Sequence, residues 1–266
     1  MKSNGPVPWW LQSLGVLLVF GVFLLIWHSV VAFWQIPSMI LPQPQGVFDA
    51  ALRERKSLFF GFLMTAGVAI SALGLSIVLG SAIAVVFSFS RWLRITLYPY
   101  VIFLQTVPIV AIAPLLITWF GYGFQTIVLV ATIISLFPIV SNVTAGLISV
   151  DNNLKDLFRL NGATRLQQLI KLQIPFAVRS LILGARISAG LAVIGAIVGE
   201  FFVGETSTAS AGLGTLIAGW QRMSRTDSMI AAILTSTLLG LFVLGTVNVL
   251  SRLLLKRWTE GSFENE

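Results

Sequence analysis

Residues 95–150 read ITLYPYVIFLQTVPIVAIAPLLITWFGYGFQTIVLVATIISLFPIVSNVTAGLISV, and no Asp, Glu, Lys, Arg or His stands among them. A helix crosses the hydrocarbon of a bilayer with roughly 20 apolar residues. The stretch therefore holds about two crossings, divided at the glycines 121 and 123. A helix on the surface of a soluble protein would show a polar face every few residues, and this stretch shows none. Two further windows, Lys56 to Arg91 and Asp227 to Arg252, are free of charge between their ends. Hydrophobic residues make up 56% of the 266 and charged residues 10%, where charged residues alone are about a quarter of a soluble domain. The pattern predicts an all-α protein, a polytopic bundle of six transmembrane helices. They are placed near Leu11–Trp34, Leu63–Phe87, Leu97–Trp119, Ile127–Ile148, Ile182–Val203 and Met229–Leu254. The first apolar run is long and lacks a small-residue cleavage site close behind it, so it reads as a span rather than a cleavable leader.

The remaining composition narrows the function. There is no Cys, which excludes disulfides and thiol-ligated metals, and the single His28 cannot build a histidine metal site alone. No Gly-x-x-x-x-Gly-Lys-Ser/Thr loop is present, so nucleotide hydrolysis is not this chain's chemistry. No cofactor is expected on it. The net charge of +7 would point to nucleic acid in a soluble protein. In a membrane protein it reads as basic loops on the cytoplasmic side. With both termini inside, the inner segments hold Lys2, Arg91, Arg94, Lys155, Arg159, Arg165, Lys171, Arg179, Arg186, Arg252, Lys256 and Arg257. The outer side keeps Arg53, Arg55, Lys56, Arg222 and Arg225, twelve against five.

Between the first two spans, QIPSMILPQPQGVFDAALRERKS is broken by Pro37, Pro42 and Pro44, and Gln45–Lys56 is expected as a short amphipathic helix at the surface. Small residues recur at four-residue spacing at Ser76, Gly80 and Ala84, and again at Ser188, Ala192 and Ala196, with Gly195 and Gly199 alongside. Such residues let helices approach closely in lipid. For the fifth span, which also carries Arg186 and Glu200, this face is expected at a subunit interface or pathway.

One charged segment, SVDNNLKDLFRLNGATRLQQLIKLQIPFAVRS at 149–180, is patterned rather than random. Asp151 is placed to cap a helix from Asn152. Leu154, Leu157 and Phe158 share a face with Asn161, and Gly162 is placed at a left-handed stop. Thr164 and Gln167 have the spacing of a capping box. Leu166, Leu169 and Ile170 share a face of the second helix, and Pro175 is expected to end it. Two short amphipathic helices joined by a glycine bend thus stand outside the membrane. Their apolar faces would suit either the lipid headgroup region or a groove on another protein.

The same segment resembles the cytoplasmic EAA loop of importer-type ATP-binding-cassette permeases. That pattern runs Glu-Ala-Ala, three residues, Gly, nine residues, then Ile-x-Leu-Pro. Gly162 matches the glycine, Leu172-Gln173-Ile174-Pro175 follows at the right spacing, Asp156 takes the glutamate position, and Leu157 and Phe158 replace the alanines. LPQPQGVFDAAL at 41–52, QTVPIVAIAPLLITWFGYG at 105–123 and Gly212-Leu213-Gly214 resemble segments of the nitrate, sulfonate and taurine permease group. The stretch from Gln105 to Pro108 is closest to members assigned to thiamine pyrimidine precursors.

The resemblance implies a type I importer permease: a subunit in the plasma (inner) membrane forming the path for a small polar solute, a sulfonate, a nitrate- or bicarbonate-like anion or a pyrimidine precursor. It implies a second copy of the chain, two ATPase subunits carrying ATP and Mg, and a binding protein outside. It places the ATPase contact on Asp156, Leu157, Phe158, Gly162, Ala163, Leu172 and Pro175. Residues 1–58 are then an N-terminal span with its outer connection, 59–258 the permease core of five spans, and 259–266 a short tail. Gln105, Pro108 and Glu200 are candidates for the pathway. The alternatives are a structural Glu200 bonded to backbone amides and a Gln105 hydrogen bond between helices. A secondary transporter or channel would explain the spans but not the loop. A membrane-embedded enzyme would need a catalytic cluster, and none is visible.

The basic asymmetry sets a testable orientation. In this cysteine-free chain, a Tyr122→Cys variant is expected to react with an impermeant maleimide on intact cells, and an Arg165→Cys variant only after the cells are opened. The reverse order would invert the map.

Overall fold

The computed structural model describes residues 9–203 and 211–260. Lys2 and the tail residues 261–266 lie outside the described residues, as do the side chains of Lys256 and Arg257. The described elements are all helical: α1 Trp9–Phe33, α2 Pro44–Arg53, α3 Arg55–Phe89, α4 Arg91–Thr106, α5 Ile109–Phe120 and α6 Phe124–Ile148. They continue as α7 Asn152–Leu160, α8 Arg165–Gln168, a π turn Leu169–Gln173, α9 Ile174–Val203, α10 Leu213–Arg222 and α11 Thr226–Glu260. Five helical runs are long and apolar enough to cross a membrane, and the bent pair α4–α5 makes the sixth.

The expected surface helix is α2, which opens on Pro44, where a missing N–H costs nothing. Only Glu54 separates it from α3, so α3 begins well before Leu63. At 35 residues, α3 is about 52 Å long at 1.5 Å per residue, and it extends beyond roughly 30 Å of hydrocarbon.

Two expectations are corrected. The third span is not one helix from Leu97 to Trp119. Its halves, α4 and α5, meet at 97°. Pro108 has no N–H to return to the preceding turn, and it disfavours the helical conformation at Val107, which takes φ −68° and ψ 126°. The halves then seat on different neighbours, α4 on α3 and α6, and α5 on α6 and α9. Pro99, Pro114 and Pro138 remain inside α4, α5 and α6, so a proline alone does not make this break. Secondly, Pro175 does not end a helix: the run from Arg165 to Phe202 is continuous over 38 residues. A π turn directly precedes this proline. The Ile174 N–H reaches back to the Leu169 carbonyl, one residue further than in an α-helix. That surplus residue widens the turn just before Pro175, where the ring would otherwise meet the carbonyl four residues back.

The core is built around α6, which lies against both α3 and α9. The small-residue face of α9, expected at a subunit interface or pathway, packs within the chain against α6. A methyl group at Gly195 would stand 2.7 Å from the Ala131 Cα. Ser188, Ala189, Ala192 and Ala196 are fully buried. On the other side, a methyl group at Gly80 of α3 would stand 2.7 Å from the Ile139 Cγ2. Hydroxyls tie the three helices: Ser188 donates to the Ser135 carbonyl at 2.6 Å, and the Ser76 and Ser135 hydroxyls are 2.7 Å apart.

Gly195→Ala is expected to lower stability by about 1–3 kcal/mol through overpacking against backbone. Gly67 on α3 has open space where a methyl would go, so Gly67→Ala should be neutral or stabilising through helix propensity. Thermal unfolding of the two variants in detergent checks both signs.

Candidate functional site

The hairpin of α7 and α8 forms as its caps dictate. The Asp151 carboxylate accepts the Asn153 N–H at 2.9 Å. The Thr164 hydroxyl accepts the Gln167 N–H, and the Gln167 side chain accepts the Thr164 N–H, closing the capping box. At the end of α7 the Ala163 N–H donates to the Phe158 carbonyl at 3.0 Å and the Gly162 N–H to the Arg159 carbonyl at 2.9 Å. This pair of bonds is the Schellman arrangement. Gly162 has φ 73°, and nothing stands within 4 Å of where its Cβ would be. Glycine is needed there for the backbone angle, not for space.

The hairpin presents apolar side chains with nothing over them. Leu157 is 54% exposed and Leu160 86%. Leu154, Leu166 and Ile170 are also exposed. Phe158 is half-buried instead, and with Leu157, Asn161, Ala163, Gln167 and Lys171 it lines a cleft of about 400 Å³. Asp156 pairs with Arg159 at 3.0 Å on the solvent side, which contributes little to stability. The hairpin is fixed to the bundle by Leu169, which packs with Leu147, Val143 and Ala177. Leu172 and Pro175 are half-buried along the π turn and the start of α9. Leu160 was not singled out in the sequence, although its exposure is the largest among the exposed apolar side chains of the hairpin. Its position next to the Asn-Gly stop was the available signal.

At the opposite end of α9, Glu200 is 2% exposed. Its Oε2 accepts from the Thr65 hydroxyl and from the Gly214 N–H, each at 2.9 Å. The Thr65 hydroxyl also accepts the Leu213 N–H at 2.8 Å. A methyl at Gly212 would fall on the Glu200 carboxyl group, and one at Gly214 on the Ile197 carbonyl. The Gly-Leu-Gly sequence is therefore what lets α10 begin directly over the carboxylate. Thr65 was missed in the sequence, because 135 residues separate it from Glu200. Beside this clamp, Arg53 donates to Asp227 at 2.7 Å and Arg225 to Glu54, tying α2 to the start of α11. The hydrogen bond to Asp227 holds the Arg53 guanidinium pKa above its ordinary value.

Gln105 and Pro108 are exposed at the α4–α5 break, and Gln105 has no described hydrogen bond. The last carbonyls of α4 lose their helical partners there. Non-helical backbone at membrane depth occurs only against protein or water. The cavity of about 280 Å³ beside Glu200, lined also by Ser57, Thr215 and Trp220, does not reach Gln105 or Pro108. No three His, Asp or Glu side chains gather to hold a metal among the described residues.

Residues 74–256 match the family described as binding-protein-dependent transport system inner membrane component. The chain is 32% identical to a formylaminopyrimidine transport permease protein of Halalkalibacterium halodurans, over 92% of this chain and 96% of that one. It is 32% identical to a riboflavin transport system permease protein of Chloroflexus aurantiacus, over 92% and 90% of the two chains. The fold matches a solved inward-facing structure of the MetNI methionine ABC transporter with a TM-score of 0.64 at 18% identity, covering 75% of this chain and 97% of that one.

The Gly162 backbone angle generates a prediction. A β-branched residue there costs about 1–2 kcal/mol, so in Gly162→Val the amides of residues 162 and 163 should exchange with solvent about tenfold faster. Gly162→Asn, which tolerates the left-handed region, should stay near the parent. Hydrogen exchange read by mass spectrometry on peptides covering the hairpin distinguishes the two.

Proposed function

We infer from one premise that this subunit works as half of a paired gate: the chain belongs to the family of binding-protein-dependent transport system inner membrane components, and it is the permease subunit of an ATP-binding-cassette importer. Two copies line one pathway. The hairpin 149–180 of each seats in a groove on an ATPase subunit, with Asp156, Leu157, Phe158, Gly162, Ala163, Leu172 and Pro175 at or beside the contact. ATP and Mg stay on that partner. A binding protein delivers the solute on the opposite face, and both termini lie on the hairpin side. Residues 59–258 carry this machinery, with 1–58 as a peripheral arm and 259–266 as a tail.

The observation that supports the docking is the row of exposed leucines on a rigidly capped hairpin outside the spans. Burying one such side chain is worth about 1.5–3 kcal/mol. Nucleotide-driven closure of the ATPases would move the two hairpins together. The helical run from Arg165 to Phe202 is about 57 Å long, and it would carry that motion to the Glu200 clamp. Gln105 and Pro108, at the open break, line the water-filled route, and Glu200 stands at its outer end. The solute is a small polar ring compound of the pyrimidine-precursor kind, in line with the names of the two relatives.

Leu157→Ser and Leu160→Ser are each expected to weaken ATPase binding about tenfold or more while leaving the spans inserted. Titration of the detergent-solubilised subunit with its purified ATPase reads this. Unchanged affinity, with reduced partitioning of the hairpin into lipid vesicles instead, would replace the groove by the headgroup region.

A further inference from the structure

At the hairpin end of the bundle, α4 and α6 enclose a pocket of about 390 Å³ lined by Arg94, Tyr98, Ser141 and Thr144, with Ile95, Pro99, Ala145 and Ile148 as its apolar walls. None of these residues belongs to the hairpin, the clamp or the helix break. We propose that this pocket binds the phosphate of an anionic phospholipid from the leaflet on the hairpin side.

The donor set points to an oxyanion. The Arg94 guanidinium makes no ion pair and no hydrogen bond among the described residues, and no carboxylate lines the pocket. The Tyr98 and Ser141 hydroxyls are 3.0 Å apart and share one proton between them, which leaves the second free to donate. The Thr144 hydroxyl is buried and has no partner at all. Ser81 is the other buried hydroxyl without a partner among the described residues, whereas the hydroxyls of Thr118, Thr132, Ser135, Thr235 and Thr246 each return to the carbonyl four residues back. A buried hydroxyl without a partner is destabilising unless something else completes it. A guanidinium and two free O–H groups, with no acceptor in excess, suit a phosphate.

The site is also rigid and correctly placed. The Tyr98 ring is held edge-on by Phe87, itself 2% exposed, at 6.2 Å between centroids. Arg94 lies one turn inside the start of α4, and Ile148 is the last residue of α6, so the pocket sits at the depth of the headgroups. Beside the wall residue Ile95, Trp92 and Phe103 are also largely exposed and give acyl chains an apolar surface to follow. Basic pockets between spanning helices bind anionic headgroups in this way. The apolar rim is what favours a lipid over a free phosphate.

The test uses the assembled transporter, released from nanodiscs containing phosphatidylglycerol and phosphatidylcholine and analysed by native mass spectrometry. The parent should retain phosphatidylglycerol in preference to phosphatidylcholine. Arg94→Gln and Tyr98→Phe should each lower that retention, the first by about fivefold. Arg91→Gln, whose side chain is exposed and does not line this pocket, should not. Equal retention in the parent and Arg94→Gln overturns the proposal, as does an equal fall in Arg91→Gln, which would mark general surface charge. Displacement of the lipid by inorganic phosphate alone would assign the pocket to a free oxyanion and overturn the lipid as its occupant. If Arg94→Gln fails to assemble, Tyr98→Phe carries the comparison.

Discussion

The contact between α6 and α9 exists because lipid supplies no hydrophobic force to bring helices together. Their association rests on close van der Waals packing and on a few hydrogen bonds. Gly195 over Ala131 and Gly184 over the Pro138 carbonyl remove the side chains that would hold the two axes apart. Ser188 then bonds the Ser135 carbonyl, and Ser135 meets Ser76 of α3. Three helices are locked along one seam. The rest of the chain is attached to this seam: the hairpin through Leu169, α10 through Glu200, and α5 through its seat on α6 and α9.

This arrangement divides the subunit into stiff and compliant parts. From Leu169 onward the long helical run is packed against α6, so α9 and α6 form one body. By contrast, α4 and α5 meet at a break whose backbone has no helical partner, and they leave broad apolar faces uncovered. Packed cores switch between discrete arrangements rather than flexing continuously. The break is where such a switch meets least resistance.

Much of this was legible in the sequence where the signal is local. The spans followed from windows without charge. The cap at Asp151, the box at Thr164 and Gln167 and the left-handed Gly162 each depend on a few neighbouring residues, and the structure has all three. What escaped depends on distant partners. Pro108 was visible as a proline, but Pro99, Pro114 and Pro138 look the same in the sequence and do not break their helices. The sharp bend comes from what α4 and α5 pack against. The Gly-x-x-x-Gly face of α9 announced a close neighbour without saying whether it lay in the same chain. Glu200 was marked as a costly charge in an apolar run, yet its partner Thr65 lies on another helix far away in the chain. Pro175 was misjudged as a stop because nothing local announces a π turn.

That π turn has a geometric consequence for the hairpin. Each residue advances an α-helix by about 100°, so one surplus residue between Leu169 and Gln173 is a phase offset of that order between α8 and the long helix beyond it. The direction in which the leucines of the hairpin face is therefore an angle stored in the backbone register, independent of the identity of those side chains. Relatives could exchange every apolar residue on the hairpin and still aim it at the same bearing. A single-residue deletion within 169–173 would swing the whole unit around the axis, leaving its caps intact while breaking the seat of Leu169 on the bundle.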